Sequence, residues 1–184
     1  MEALFTSTLI VAVAEMGDKT QLLSFVLAAR FKRPWPIVLG ILLATLANHF
    51  LAGALGAWLA TLISPATLNW LVALSFFAFG LWALKPDELE ENPSMPSAGV
   101  FLTTLVAFFL VEMGDKTQLA TIALAARYDS LASVVLGTTL GMMIANAPAV
   151  WMGEKLAHRV NMRYMRWVAA ALFFLLGALT LLLR

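Results

Sequence analysis

The sequence contains no cysteine, which excludes disulfide bonds, thiolate metal sites and thiol nucleophiles. Charged residues are also scarce, since only 12% of the 184 residues are Asp, Glu, Lys or Arg, about half the share found in soluble domains. The net charge of +1 argues against nucleic acid as a partner. No basic residue precedes Lys19, whereas a cleavable signal peptide begins with a positively charged region. We therefore expect the first apolar segment to be retained.

Apolar residues dominate the chain instead. Hydrophobic residues make up 61% of the sequence, and the mean hydropathy is +0.87. A helix that crosses a bilayer needs roughly 17–25 predominantly apolar residues. Six segments satisfy this requirement: 4–29, 35–63, 67–84, 99–126, 131–157 and 165–183. The sequence therefore predicts an all-α polytopic membrane protein with six transmembrane helices in the lipid bilayer.

One seven-residue motif, EMGDKTQ, occurs twice without change, at residues 15–21 and 112–118. Both copies lie inside long apolar segments, and they contain four of the eleven acidic residues of the chain. A charge at membrane depth is costly, so an ionisable residue within a spanning segment indicates a functional site. The two motifs are therefore the first candidates for that site.

The repeat extends beyond the motif at the same offset of 97 residues. Matching stretches include Ala28-Ala29-Arg30 with Ala125-Ala126-Arg127, Val38-Leu39-Gly40 with Val135-Leu136-Gly137, Gly56, Leu59 and Ala60 with Gly153, Leu156 and Ala157, Trp70 with Trp167, Phe76-Phe77 with Phe173-Phe174, and Gly80 with Gly177. We predict a first three-helix repeat at 1–84, an acidic linker at 85–97 and a second repeat at 98–184. Because three is odd, the second repeat must be inverted, as in many secondary transporters.

Loop charges indicate the orientation. Eight basic residues flank one set of helix ends: Arg30, Lys32, Arg33, Lys85, Lys155, Arg159, Arg163 and Arg166. The opposite set has only Arg127 and Arg184. By the positive-inside rule, we predict that the acidic linker lies in the cytoplasm and that both termini lie outside.

The spacing of the motif predicts a cation site. On a helix, residues three or four apart share a face, so Glu15, Asp18 and Gln21 should line up. The second motif repeats this pattern. If the inverted repeats face each other, four carboxylates and two amide oxygens surround one point near the bilayer midplane. This hard, all-oxygen set suits Ca²⁺, Mg²⁺ or Mn²⁺. The predicted metal ligands are Glu15, Asp18, Gln21, Glu112, Asp115 and Gln118; candidates to complete the shell are Thr20, Thr117, Ser24, Thr121, Asn48 and Asn146.

Charge balance suggests an exchange reaction. Each motif carries Glu, Asp and Lys, so the two motifs together carry −2 when all groups are ionised. One divalent cation or two protons would neutralise this charge. Burial and clustering of like charges both favour protonated carboxyl groups, which would help protons compete with the cation. Lys19 should pair with Glu15 or with a carboxylate across the repeat interface, and Lys116 should do the same opposite Glu112.

Several alternatives stay open at this stage. The charged residues of the motifs could form structural ion pairs only, and Asn48 and Asn146 could bond between helices without binding a cation. His49 could relay protons or simply pack between helices. A cation channel would use similar carboxylates without proton coupling. An intramembrane enzyme is the third class, since paired carboxylates can cleave peptides, but the lysine in each motif and the repeat symmetry disfavour it.

Two copies of E-x-G-D-K/R-T/S, each within a three-helix half, resemble a family of cation/proton exchangers. This family includes the Golgi and thylakoid manganese/calcium transporters and the bacterial MneA-type manganese exporters. The resemblance implies an antiporter that moves Mn²⁺, or alternatively Ca²⁺, out of the cytosol, with the Glu and Asp of both motifs as cation ligands. The compact chain is similar to bacterial forms, which implies export across the bacterial inner membrane. No cofactor is expected, the cation is cargo, and the oligomeric state is not indicated.

Overall fold

The computed structural model describes residues 1–85, 99–152 and 162–182, and all regular structure in these ranges is α-helical. The helices are α1 (Glu2–Glu15), α2 (Lys19–Phe31), α3 (Pro34–Leu62), α4 (Pro65–Ala83), α5 (Val100–Glu112), α6 (Lys116–Arg127), α7 (Leu131–Met152) and α8 (Met162–Leu182). The prediction of an all-α protein is confirmed. Several predicted features lie outside the described residues: the linker beyond Lys85, the basic residues Lys155, Arg159 and Arg184, and the repeat positions Gly153, Leu156 and Ala157.

Proline and serine mark the first two helix junctions. Pro34 occupies the first turn of α3, where the missing N–H of proline costs nothing. Ser64 caps α4, because its Oγ accepts a hydrogen bond from the Thr67 N–H at 3.3 Å, and Pro65 follows at the first helical position. Between α2 and α3, Lys32 adopts the left-handed conformation (φ 51°) and its N–H bonds to the Ala28 carbonyl at 3.0 Å.

The prediction of continuous helices over 4–29 and 99–126 is wrong. Each segment is interrupted at its motif, so that α1 and α2 form one broken element and α5 and α6 form another. The cause is local: Gly17 and Gly114 have φ values of +88° and +76°, which continue neither helix. Glu15 and Asp18 therefore do not share a helical face as predicted; Glu15 ends α1 and Asp18 caps α2.

Helices α4 and α8 pack closely along their length. Phe76 and Phe173 stack with ring centroids 6.4 Å apart, and Phe77 lies 6.1 Å from Phe174. Gly80 faces the ring of Phe174, and its repeat mate Gly177 faces the ring of Phe77. These reciprocal contacts between corresponding positions make α4 and α8 one tight pair.

Small residues allow a second set of reciprocal contacts. A Cβ at Gly40 on α3 would lie 2.8 Å from the Thr104 side chain on α5. A Cβ at its repeat mate Gly137 on α7 would lie 2.6 Å from the Leu4 carbonyl and 2.9 Å from the Ser7 side chain on α1. Because Ser7 and Thr104 are also repeat mates, the long helix of each repeat packs in the same way on the broken element of the other.

The two halves nevertheless differ in how their half-helices pack against the α4/α8 pair. The pair α4/α8 packs against α1 and α6, but its contacts with the corresponding half-helices α5 and α2 are at most marginal among the described residues. Consequently one face of α2 is open, with Leu22 and Val26 exposed, whereas Ala123, the repeat mate of Val26 on α6, is buried. The α4/α8 pair therefore packs preferentially against α1 and α6.

The distribution of polar and apolar side chains is the reverse of that in a soluble protein. Large apolar residues such as Phe50, Leu74 and Leu81 are exposed, while Glu15, Glu112 and Asn146 are fully buried. Three helices are long and apolar enough to cross a membrane: Pro34–Leu62, Pro65–Ala83 and Leu131–Met152. Val100–Glu112 and Arg166–Leu182 are shorter apolar helices. Such a surface fits a protein surrounded by lipid.

We expect Gly56→Ala to destabilise the fold. A Cβ at this position would lie 2.1 Å from the Ile122 carbonyl oxygen, so the backbones of α3 and α6 would have to separate. Overpacking of this kind costs about 1–3 kcal/mol or more, which lowers the melting temperature by roughly 2–4 °C per kcal/mol. Gly53→Ala, on the same helix, is the matched control because its Cβ would meet side chains and not backbone, namely Leu131 Cδ1 at 2.7 Å, Val135 Cγ2 at 3.1 Å and Ala125 Cβ at 3.8 Å. Equal melting temperatures for the two variants in detergent would contradict this account of the contact.

Candidate cation site

Each motif forms a short non-helical break that is held by its own side chains. In the first break, Asp18 Oδ1 accepts a hydrogen bond from the Lys19 N–H at 2.8 Å and so caps α2. Gln21 reaches back, and its Oε1 accepts from the Gly17 N–H at 2.9 Å. In the second break, Gln118 accepts from the Gly114 N–H in the same way at 2.7 Å. Backbone groups freed by the breaks are thus bonded within the protein, as an apolar environment demands.

The two glutamates lie at the carboxyl ends of α1 and α5 and are fully buried. Thr20 donates a hydrogen bond to Glu15 Oε2, and Thr117 donates to Glu112 Oε2 at 3.2 Å. The second oxygen of each carboxylate, Oε1, is buried and has no hydrogen-bond partner within the described ranges of the chain. Because the carboxyl end of a helix carries partial negative charge, both glutamates lie where a positive charge would be stabilised.

The lysines pair with the aspartates across the repeat boundary. Lys19 Nζ lies 3.0 Å from Asp115 Oδ1, and Lys116 Nζ lies 2.7 Å from Asp18 Oδ2. The Lys116 side chain is only 4% exposed, whereas that of Lys19 is 22% exposed. The sequence allowed each lysine to pair with the glutamate of its own motif or with a carboxylate across the repeat interface. In the structure, each lysine pairs across the interface.

Three of the four motif carboxylates come together. One oxygen each from Glu15, Glu112 and Asp115 lie within 4.8 Å of one another, and all three residues are buried. Asp18 does not join this group in the described part of the chain. An arrangement of three convergent carboxylates is a suitable site for a hard divalent cation.

The neighbouring polar side chains mostly bond to each other or to the backbone. Gln21 Nε2 donates to the Ala145 carbonyl at 3.0 Å, while Gln118 Nε2 donates to Asn48 Oδ1. Asn48 Nδ2 donates in turn to the Phe109 carbonyl at 3.1 Å. In this structure both glutamine oxygens are engaged with glycine N–H groups, so the glutamines support the breaks.

On the opposite side, Ser24 Oγ lies 3.0 Å from Asn146 Oδ1 and also donates to the Thr20 carbonyl at 3.0 Å. Its counterpart Thr121 donates to the Thr117 carbonyl at 2.8 Å. Asn146 Nδ2 donates to the Met142 carbonyl at 3.1 Å. These residues thus form a buried polar layer next to the carboxylates.

Sequence reasoning missed the backbone acceptors of this layer and the capping role of the motif. The capping role had a signal, because an Asp followed three residues later by Gln is a typical helix start. The carbonyls of Ala145 and Phe109 had none, since any residue supplies a carbonyl. His49 is buried next to Asn48, and neither ring nitrogen has a hydrogen-bond partner among the described residues.

Helices that break at a buried carboxylate cluster, inside a protein with an apolar surface, define a class: membrane proteins that move cations through a central site. Comparison with known proteins agrees with this class. The family model described as "Divalent cation/proton antiporter GDT1" matches residues 3–91 and 100–183. The chain therefore belongs to this family of membrane transporters, and the enzymatic alternative is excluded.

The relatives cover nearly the whole chain. A protein of Vibrio cholerae, provisionally named as a manganese exporter, is 46% identical over 181 residues, which span 98% of this chain and 90% of the relative. GDT1-like protein 3 of Oryza sativa subsp. indica is 30% identical over 94% of this chain and 71% of its own length. GDT1-like protein 5 of Arabidopsis thaliana is 28% identical over 97% and 95%, respectively. No solved structure has significant similarity to the chain.

Proposed function

We propose that the protein exports a divalent cation, most favourably Mn²⁺ and alternatively Ca²⁺, from the cytoplasm in exchange for protons. The observation that carries this proposal is the pair Glu15 and Glu112, each fully buried with one carboxylate oxygen that lacks a partner. A buried carboxylate without a counter-charge is strongly disfavoured. The pair therefore needs either bound cations or bound protons.

Charge balance makes the two occupants interchangeable. Within each of the two ion pairs, Lys19–Asp115 and Lys116–Asp18, the positive and the negative charge cancel. The remaining charge of −2 belongs to Glu15 and Glu112, and it is matched by one divalent cation or by two protons. Alternate binding of these occupants on opposite sides of the membrane gives an exchange of one cation for two protons.

The proposed ligands follow from position. Glu15, Glu112 and Asp115, whose oxygens converge, supply the first ligands, and Asp18 is a further candidate that lies outside this group in the structure. Gln21 and Gln118 would act mainly by holding the breaks, because their oxygens accept from glycine N–H groups; either amide would have to rotate to offer its oxygen to the ion. Further oxygens are available from Thr20, Thr117, Ser24, Thr121, Asn48 and Asn146. A purely oxygen-based site accepts Mn²⁺ and Ca²⁺ alike; the name of the Vibrio cholerae relative favours manganese.

The membrane arrangement is part of the proposal. Taken together, α1 with α2, α5 with α6 and the four other helices give six spans in two inverted repeats, at 1–84 and 98–184. Two separate family matches, at 3–91 and 100–183, support this division. Broken helices whose ends meet at a central ion site are typical of inverted-repeat transporters. By the positive-inside rule, the basic residues favour a cytoplasmic linker at 85–97 and termini outside. The Vibrio cholerae relative favours a bacterial membrane, which we propose is the inner membrane.

The test uses purified protein in liposomes that contain a pH-sensitive dye, with Mn²⁺ added outside. We expect protons to leave the liposomes as Mn²⁺ enters, and the same assay with Ca²⁺ measures the selectivity between the two cations. A protein-free liposome and the Glu15→Gln variant are the controls. Mn²⁺ entry without linked proton movement would support the channel alternative instead, and the absence of any Mn²⁺ flux would refute transport through this site.

A further inference from the structure

The two motif aspartates have identical sequence neighbours but different partners. Both oxygens of Asp18 are occupied, since Oδ1 accepts from the Lys19 N–H at 2.8 Å and Oδ2 lies 2.7 Å from Lys116 Nζ. Asp115 makes no side-chain cap on α6. Its Oδ1 lies 3.0 Å from Lys19 Nζ, and its Oδ2 lies at 3.4 Å from the hydroxyl of Thr117. Asp18 is therefore firmly held, and Asp115 is more loosely held.

This difference decides which aspartate reaches the cation site. Asp115 lies within the group of carboxylate oxygens formed with Glu15 and Glu112, and Asp18 does not. The glutamates themselves have matching surroundings, because each accepts a hydrogen bond from the threonine five residues later. The site thus consists of two equivalent glutamates and one aspartate out of a pair.

The same asymmetry appears in the helix packing. The aspartate in the site precedes α6, which packs against α4. The aspartate held away precedes α2, which has at most marginal contact with α8 among the described residues. In a protein made of two like repeats, exchanging the packing of the repeats would place α2 against α8 and release α6. That arrangement would exchange the surroundings of Asp18 and Asp115.

We infer that Asp18 and Asp115 alternate as the third carboxylate ligand, an inference that rests on the proposed function. In the state described above, Glu15, Glu112 and Asp115 bind the cation, while the cap on the Lys19 N–H and the pairing with Lys116 hold Asp18 outside the group. In the opposite state Asp18 joins the glutamates, and Asp115 caps α6 and keeps its pairing with Lys19. Because both aspartates are paired with the lysine of the other repeat in the observed state, the helix cap, and not the lysine, distinguishes the two aspartates.

The test locks the protein in one state at a time. Because the chain has no cysteine, introduced cysteine pairs are the only thiols. Val72 on α4 and Ala123 on α6 line the same cavity, so a short bifunctional thiol reagent across V72C/A123C would fix the observed state. The repeat-related pair V26C/A169C would fix the opposite state. Mn²⁺ binding to the locked protein in detergent is then measured from the loss of the electron paramagnetic resonance signal of free Mn²⁺.

In the V72C/A123C lock, we expect Asp115→Asn to weaken Mn²⁺ binding by at least roughly 10–100-fold, the loss typical even for an outer partner of a metal site. Asp18→Asn should weaken binding much less than Asp115→Asn does, because Asp18 lies outside the group of carboxylate oxygens in this state. In the V26C/A169C lock, Asp18→Asn should cause the larger loss of Mn²⁺ affinity and Asp115→Asn the smaller one. The matched pair of locks thus provides its own control for nonspecific effects of each substitution.

Equal losses for both variants in the first lock would overturn the inference, because all four carboxylates would then bind together. No loss in either variant would also overturn it, since the glutamates alone would suffice. Failure of V26C and A169C to cross-link under any ion condition would show that the opposite packing does not form, and would overturn the exchange. If the locked parents bind no Mn²⁺ at all, the proposed function itself fails, which is a distinct result.

Discussion

Glu112→Gln is expected to abolish cation transport and to leave the protein folded. The variant keeps an oxygen that can accept the hydrogen bond of Thr117 but removes half of the −2 charge that the cation must match. Folding should be preserved or improved, because replacing a buried carboxylate by a neutral amide removes a desolvation cost. The measurements are Mn²⁺ uptake by proteoliposomes and the melting temperature in detergent.

Glu2→Gln is the matched control for this substitution. Glu2 lies in the first turn of α1, is exposed and makes only a 3.4 Å contact with the Tyr128 hydroxyl. Its replacement should change neither uptake nor melting temperature. Normal transport by Glu112→Gln would show that the glutamate pair is not the cation site. A large fall in melting temperature would instead assign Glu112 a structural role.

Lys116→Met is expected to cause the largest loss of stability of any single substitution in the motifs. Removing this lysine leaves Asp18 as a buried carboxylate without its 2.7 Å partner, and breaking a buried ion pair on one side costs about 3–5 kcal/mol. Lys19→Met should cost less, because 22% of the Lys19 side chain is exposed and its pair with Asp115 is therefore less completely buried than the pair of Lys116 with Asp18. Melting temperatures of the two variants in the same detergent measure the difference.

The double variant Lys116→Met/Asp18→Asn distinguishes a lost charge partner from lost packing. With the aspartate neutralised, most of the stability should return, since two neutral groups of similar size replace the ion pair. Transport should not return, because Asp18 is part of the proposed cycle. If the double variant melted as low as Lys116→Met alone, the lost stability would come from the lysine stem and not from the ion pair.

The sequence predicted the helical class and three carboxylates that come together, Glu15, Glu112 and Asp115, whereas the fourth, Asp18, lies outside their group. The reasons for this partial success are physical. Carboxylates are rare within membrane-spanning segments unless they serve a function, so Glu15 and Glu112 in apolar segments indicate a functional site. Pro34 and Ser64-Pro65 mark helix starts by local chemistry that needs no tertiary information. The same kind of reasoning fails at Gly17, because the length of an apolar segment does not reveal that a glycine with positive φ interrupts the helix.

Other features could not be derived from the repeat. Identical motifs predict identical surroundings, yet Asp18 caps a helix and Asp115 does not. This difference accompanies the unequal packing of the α4/α8 pair on the half-helices, which is a property of the assembled protein. The pairing of Lys19 with Asp115 likewise depends on the relative position of the two halves, about which spacing along the chain says nothing.

The crossed ion pairs have a consequence for biosynthesis. Lys19 emerges from the ribosome 96 residues before its partner Asp115, and Asp18 emerges 98 residues before its partner Lys116. At roughly 5–20 residues per second, the interval is about 5–20 s. Throughout this time the first half contains charged groups whose final counter-charges do not yet exist. The ion pairs at the centre of the protein are therefore among the last contacts to form, and the nascent first repeat depends on the arrival of the second for a stable place in the membrane.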